Sequence, residues 1–244
     1  MQANTFSIVA RCPRTGMLGV AVSTAVPAVG GLCPHVQAGI GAVSTQAWVN
    51  PYLAIEALRR LAEGASAQAA LDAVLAGDDA AGVRQIGVVD AAGRAAVWSG
   101  ADCTQWFGHR SGPGYTIQGN MLTGPEVLAG MEAAFRGSDP CELGERLMLA
   151  LEAGQAAGGD KRGKQSAALL VYDREAYPWI DVRADEHRTP VAELRRIYTI
   201  HQAQVRPFLA GMPKRGAPAR AAPPEVTAML LSPPPFRPGG GGSA

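Results

Sequence analysis

Histidine and cysteine are scarce in this chain of 244 residues, with four of each, and neither is clustered. Cys12, Cys33, Cys103 and Cys141 include no short-spaced pair, so zinc-finger and dithiol redox motifs are excluded. A domain of this size needs no disulfide framework. His35, His109, His187 and His201 show no HxH or HExxH spacing, so no protein-built metal site is expected. The sequence has neither a Walker phosphate loop nor a dinucleotide fingerprint, and no cofactor is expected. No close pair of carboxylates suits glycosidic acid–base work. A formal charge of +1 lacks the concentrated basic face of a nucleic-acid binder. No uncharged apolar run reaches the ~18 residues of a membrane span, and no basic segment followed by an apolar one opens the chain. A soluble, cytoplasmic protein without nucleic-acid or membrane partners is the expectation.

What is present is a core-forming composition. Apolar residues make up 47% and charged residues 18%, which argues against wholesale disorder. The length suffices for one sizeable domain. Charge is unevenly spread, because residues 1–204 carry a net −3 and residues 205–244 are mildly basic. Nine of the 18 prolines lie from Pro207 onward, and the chain ends GGGGSA. We therefore expect a domain over 1–204 and, over 205–244, a flexible Pro/Gly-rich tail or a short docking segment near Val226–Leu231.

Within 1–204 the hydrophobic period switches between two and 3.6. Residues 5–10 (TFSIVA), 18–24 (LGVAVST) and 39–45 (GIGAVST) read as strands, with a turn at 11–16 and a Pro/Gly-rich crossing at 27–34. Asn50-Pro51 is a helix start, with Asn as cap and Pro at the first helical position. The helix it opens runs to Glu63 and stops at Gly64, and Ser66 caps a second, Ala-rich one. Strands follow at 84–90 and 95–98. Residues 106–117 read as loop or edge strand, and helices follow at 126–135 and 141–152. A glycine-rich loop at 154–163 precedes strands at 166–172 and 180–183 and a last helix at 191–204. Strands joined mainly by turns predict antiparallel sheets with helices outside, an α+β fold.

Three polar clusters interrupt this pattern. The first is Thr5, at the start of the first strand, with Ser7, Ser23, Thr24, Ser44 and Thr45 on its neighbours. A hydroxyl needs a base before it attacks an acyl carbon, and an N-terminal Thr has its own α-amine, of pKa about 7.7–8.0. The alternative is β-branched filler in a strand. The second is the loop Gly158–Ser166 (GGDKRGKQS), where Asp160, Lys161, Arg162 and Lys164 either hold a carboxylate and orient a nucleophile or form a solvated turn. The third joins Gln46, Trp48 and Asn50 to His109, Arg110, Gln118 and Asn120. These groups either contact a polar substrate and an oxyanion or satisfy loop backbone. His35 is a further candidate pocket residue.

Several co-linear stretches closely resemble the DUF1028 family, which is placed in the N-terminal-nucleophile (Ntn) hydrolase superfamily. They are Thr5–Arg11 with Leu18–Val22, Gly39–Ala47 with Asn50-Pro51, Arg84–Asp90, Gly108–Arg110, Tyr115–Asn120 and Gly158–Ser166. The resemblance spans about 1–204. It implies a four-layer αββα sandwich and hydrolysis of an amide C–N bond through an N-terminal nucleophile. Carried over by position, Thr5 is the nucleophile; in that reading Asp160 or Lys164 orients or tunes it, and Asn120 or a backbone N–H serves the oxyanion. Gln46, Trp48, His35, His109, Arg110, Gln118, Ser44 and Arg162 would line the substrate site. Gln2, Ala3 and Asn4 precede Thr5, so its amine requires cleavage at Asn4–Thr5. Otherwise an internal hydroxyl, Ser23 or Ser44, would act, or the fold would serve as a binding protein or oligomeric scaffold. A small polar or carboxylated amide is the expected substrate and a homo-oligomer the expected assembly, with the Ala-rich helix near 65–76 at the interface.

Overall fold

The computed structural model describes residues 2, 3, 5–217 and 221–232. The GGGGSA terminus, Met1 and Asn4 lie outside the described residues. Chain contacts divide the molecule into two units, 1–194 and 195–244.

The first unit is built on two antiparallel sheets. One is ordered β11 (Ile180–Ala184), β10 (Ser166–Tyr172), β3 (Leu18–Thr24), β2 (Thr5–Arg11), β9 (Tyr115–Asn120) and β8 (Gly108–Gly112). In the other, β5 (Gly41–Trp48) pairs with β6 (Arg84–Asp90), and β6 with β7 (Ala95–Ser99). The free edge of β5 is shared: β4 (Pro34–Gln37) covers Gly41–Ser44, and the two-residue β1 (Gln2–Ala3) pairs with Ala47 and Trp48. Only Asn4 separates β1 from β2, so the chain crosses from one sheet to the other immediately before Thr5.

Helices α1 (Pro51–Ala62) and α2 (Ala67–Ala76) pack on the β5–β6–β7 sheet. Helices α3 (Glu126–Gly137) and α4 (Leu143–Ala156) pack on β2, β3, β9 and β10. The expected caps form: the Asn50 side chain accepts from the Tyr52 amide and Ser66 from the Ala69 amide. Each turns an otherwise orphaned helix-start N–H into a hydrogen bond worth about 1 kcal/mol. Leu53, Ala54, Ala57, Leu58 and Leu61 then close on Val43, Ile86 and Val88, the helix-facing residues of β5 and β6. Helix α5 (Pro190–Gln204) runs across the division between the units. In the second unit, helices α6 (Arg206–Gly211) and α7 (Pro224–Leu231) lie within the stretch read from its Pro and Gly content as a tail.

Two readings of the sequence are corrected. The Pro/Gly-rich crossing ends in a strand, β4, because the lower half of β5 needs an edge partner. Gln118-Gly119-Asn120 is not loop but the end of β9, hydrogen-bonded along Thr5–Ser7. Its polar residues sit in a strand interior because their side chains find partners on the other sheet.

Candidate functional site

Alternation along the strands sorts hydroxyls and amides from hydrocarbon. On β2, Phe6 and Ile8 share one face, and Thr5, Ser7 and Val9 the other. The second face meets β5 and β6. Toward the C-terminal end of β2 this contact is apolar, with Val9, Leu18 and Val20 against Ala42 and Val89. Toward Thr5 it is polar, and Thr5, Ser7, Thr24, Ser44, Gln46, Gln85, Gln118 and Asn120 are all buried.

These groups are hydrogen-bonded to one another, except that Gln118 Oε1 is buried without a partner among the described residues. Gln118 Nε2 donates to Ser7 Oγ at 2.7 Å, and Ser7 Oγ donates to Gln46 Oε1 at 2.5 Å. Gln46 Nε2 donates to Gln85 Oε1 at 2.7 Å and to the Thr5 carbonyl at 3.2 Å. Asn120 Nδ2 donates to the same Gln85 oxygen at 3.0 Å. Gln85 Nε2 continues to Ser99 Oγ at 2.8 Å and the Gly119 carbonyl at 2.9 Å. A connected network of this kind limits the cost of burying amides and fixes the register between the sheets. Gly87 makes room for it, since a Cβ there would stand 2.3 Å from Thr116 Oγ1 and 2.4 Å from Gln118 Oε1.

Thr5 lies at the border of this network. Thr24 and Asn120 flank it on the neighbouring strands, and its hydroxyl donates to Thr24 Oγ1 at 3.4 Å. The chain beyond both flanking residues reaches Asp160. Its carboxylate accepts from the Ala25 amide at 3.2 Å, and its backbone bridges to Leu122. Asp160 also accepts from the Arg162 amide at 2.9 Å and from the Arg162 guanidinium at 3.1 Å. The same loop holds Lys161, whose Nζ donates to the Gln105 carbonyl at 2.6 Å, and Lys164, whose side chain is exposed. Beside Asn120 is a narrow cleft lined by Ala47, Trp48, Val83, Asp102, Cys103 and Thr104. Its free space, about 10 Å³, is at the threshold for a single water. Ala47 and Trp48 are also the residues that pair with Ala3 and Gln2. Ala47 (φ 67°) and Met121 (φ 51°), the residue after Asn120, hold left-handed backbone unusual for residues with side chains.

The structure thus gathers Thr5, Asn120, Gln46, Gln118, Ser44 and Asp160 at one end of the first unit. Arg162 joins them through Asp160, and Trp48 stands at the cleft. His109 touches the far edge of the network, its Nδ1 3.0 Å from Ser99 Oγ, and partial burial lowers its pKa. Three residues are placed elsewhere. Arg110 faces away from the other sheet and pairs with Glu132 of α3 at 2.8 Å. His35 sits on β4, within 3.2 Å of the Leu32 carbonyl, its pKa lowered chiefly by burial. Ser23 points to the opposite face of β3 from Thr24 and donates to the Ser166 carbonyl at 3.2 Å. Gln85, the hub of the network, was missed from the sequence. Its signal was a lone amide in the apolar strand RQIGVVD at the parity that faces the other sheet. Among the described residues no group of three His, Cys, Asp or Glu side chains gathers as metal ligands.

The family model for DUF1028, a family of unknown function, matches residues 5–194. The chain belongs to the DUF1028 family. A crystal structure of a Silicibacter pomeroyi protein of the same family superposes with a TM-score of 0.80 at 30% identity, covering 86% of this chain and 92% of that one. The Anbu (ancestral beta-subunit) protein from Yersinia bercovieri matches at a TM-score of 0.38 and 12% identity, over 86% and 98% of the two chains, too slight a likeness to establish a common fold. No curated protein matches. Among the described residues no helix is long and apolar enough to cross a membrane.

Proposed function

We propose that this DUF1028 chain is the precursor of an Ntn-type amidohydrolase on a four-layer αββα sandwich, with Thr5 as its nucleophile. The layering is supported by α1 and α2 on one sheet, α3 and α4 on the other, and the side-chain network between the sheets. The observation that carries the activity is the setting of Thr5. It is the first residue of a central strand, flanked by Thr24 and Asn120, at the polar end of that network, with Asp160 at the same end.

Cleavage of the Asn4–Thr5 bond frees the Thr5 amine and releases the segment paired with Ala47 and Trp48, widening the cleft beside Asn120. The amine then takes the proton from Thr5 Oγ1 as the oxygen attacks the substrate carbonyl carbon. Asn120 supplies a donor to the oxyanion, and Asp160 fixes the loop beside the nucleophile. Collapse breaks the C–N bond, the leaving nitrogen takes the proton, and an ester to Thr5 remains. Water, deprotonated by the same amine, releases the acid and restores the hydroxyl. Lys164, exposed on the neighbouring loop, favours a substrate carrying a carboxylate. Assembly into a homo-oligomer belongs to the same reading. It is supported by Trp48, Tyr52 and Ile55, which are exposed together at the start of α1, and is read by the mass in solution.

The test is the intact mass and N-terminal sequence of the purified protein, followed by a screen of small amides. A chain beginning at Thr5, turnover, and its abolition in Thr5→Ala are expected. Undiminished turnover in a folded Thr5→Ala protein would reject Thr5 as the nucleophile. One observation favours a second reading. With Asn4 still joined to Thr5 and about 10 Å³ free in the cleft, the same end is a closed polar core, and a chain that never processes and shows no turnover would make it structural.

A further inference from the structure

At the opposite end of β2 from Thr5, a cleft of about 510 Å³ opens between the β2–β3 turn, the β8–β9 turn and helices α3 and α4. That volume is within the range of small-molecule sites. Three guanidiniums line it, from Arg11, Arg136 and Arg146, together with Tyr115, Phe135, Glu132 and Asp139. We propose that this cleft binds a small organic anion carrying a phosphate or more than one carboxylate, held by the forks of Arg11, Arg136 and Arg146.

The argument is one of unspent donors. Arg146 is 95% buried, and its guanidinium lies 4.1 Å over the Phe135 ring. Its Nη2 donates to Asp139 at 3.1 Å and to the Phe135 carbonyl at 3.3 Å, but its buried Nε has no partner. Arg11 Nε is likewise buried and unpartnered. Arg136 is exposed, and its guanidinium makes no side-chain hydrogen bond among the described residues. Each guanidinium offers five donors. The two Nε atoms are closed off from the cleft, so the donors left for a ligand are the Nη groups, of which, among the described residues, Arg11 and Arg136 commit none and Arg146 only Nη2. The cleft's own carboxylates do not meet this need. Glu132 accepts from Tyr115 Oη at 2.7 Å and from Arg110 at 2.8 Å, and Asp139 is shared between Arg146 and Arg14. Three lining guanidiniums therefore face two carboxylates that are already paired, by Arg110 and by Arg14, from outside the lining, while residues 1–204 as a whole carry more acid than base.

Concentrated positive charge in a concave site with fixed donors matches phosphate or paired carboxylates, which guanidiniums bind in bidentate fashion. Tyr115 and Phe135, with ring centroids 5.2 Å apart, give an apolar wall for a short carbon skeleton. The site stands independently of the nucleophile, since the seven residues of β2 put it about 20 Å from Thr5.

Calorimetric titration of the full chain, in low-salt buffer free of other polyvalent anions, tests this with inorganic phosphate, pyrophosphate, citrate and acetate. Saturable binding of a polyvalent anion, tighter than acetate, is expected. A preference for phosphate and pyrophosphate assigns a phosphoryl group, and one for citrate assigns a polycarboxylate. Arg11→Gln and Arg136→Gln should each weaken binding about tenfold or more, the loss of a charge-assisted hydrogen bond. Thr5→Ala should bind as the parent does. Neither arginine makes a hydrogen bond that the fold requires, and an unchanged unliganded melting temperature verifies each variant. No binding of any of the four anions, or equal binding by both arginine variants, would overturn the proposal.

Discussion

Replacing Gln85 by Leu tests whether the inter-sheet network is the structural keystone of the candidate site. The side chain is fully buried and takes part in hydrogen bonds with Gln46, Asn120, Ser99, Gly119 and Gly108. Leu fills similar space but offers no polar atom. Gln46 Nε2 would keep the carbonyls of Thr5 at 3.2 Å and Gln118 at 3.3 Å, and Ser99 would keep His109. Asn120 Nδ2 would lose its Gln85 acceptor at 3.0 Å, and the buried Gly119 carbonyl and half-buried Gly108 carbonyl their side-chain donor. The two fully buried groups, Asn120 Nδ2 and the Gly119 carbonyl, cost about 1–3 kcal/mol each when left unmade, while solvent reaches the Gly108 carbonyl; the added hydrocarbon offsets part, for a net near about 3 kcal/mol. For a domain of this size that lowers the melting temperature by about 6–12 °C. Urea denaturation and a thermal melt measure it. A Gln85→Leu protein within about 0.5 kcal/mol of the parent, the range of an ordinary surface substitution, would refute the reasoning. It would show that solvent or rearrangement satisfies Asn120 without Gln85.

Two other expectations follow from single contacts. Gly87→Ala drives a Cβ into Thr116 Oγ1 and Gln118 Oε1 and should destabilise by about 1–3 kcal/mol, less in a Thr116→Ala/Gln118→Ala background, as a double-mutant cycle in urea would show. Asp78 pairs with the nearly buried Arg84 at 2.6 Å, and that hydrogen bond, opposed by burial, holds its carboxyl below the ordinary range. A depressed folded pKa means stability that is present above the unfolded value near 3.9 and lost as pH falls through the folded one. Asp78→Asn should therefore cost about 3 kcal/mol at pH 7, and the gap to the parent should narrow below pH ~3.9 in acid melts. A gap unchanged down to pH ~2 would show that the charge is not what stabilises the pair.

The helices and the central strands were legible because their signals are local. Asn50-Pro51 and Ser66 cap the helices they were expected to cap, and Ser166–Tyr172 is the expected strand. Local pattern failed where the partner is distant. Gln118 to Asn120 looked like loop because amides seldom sit inside strands, and only the facing amides of Gln46 and Gln85 make that position stable. Pro34–Gln37 became a strand because β5 offered an edge, which a Pro-rich string does not announce. Arg110 and Gln118 belong to adjacent paired strands, yet parity sends one to Glu132 on α3 and the other to Ser7.

The order of apolar and polar residues along the chain determined by itself which segments are strands and helices and, through the period of two, which side chains share a face. It also placed Thr5 first on its strand. Which faces meet was a tertiary decision, because buried amides and arginines are tolerated only where a partner arrives from far along the chain. The Gln46–Gln85–Asn120 network and the arginine cleft at the other end of β2 exist only in the folded molecule, since each joins residues contributed by different strands and helices.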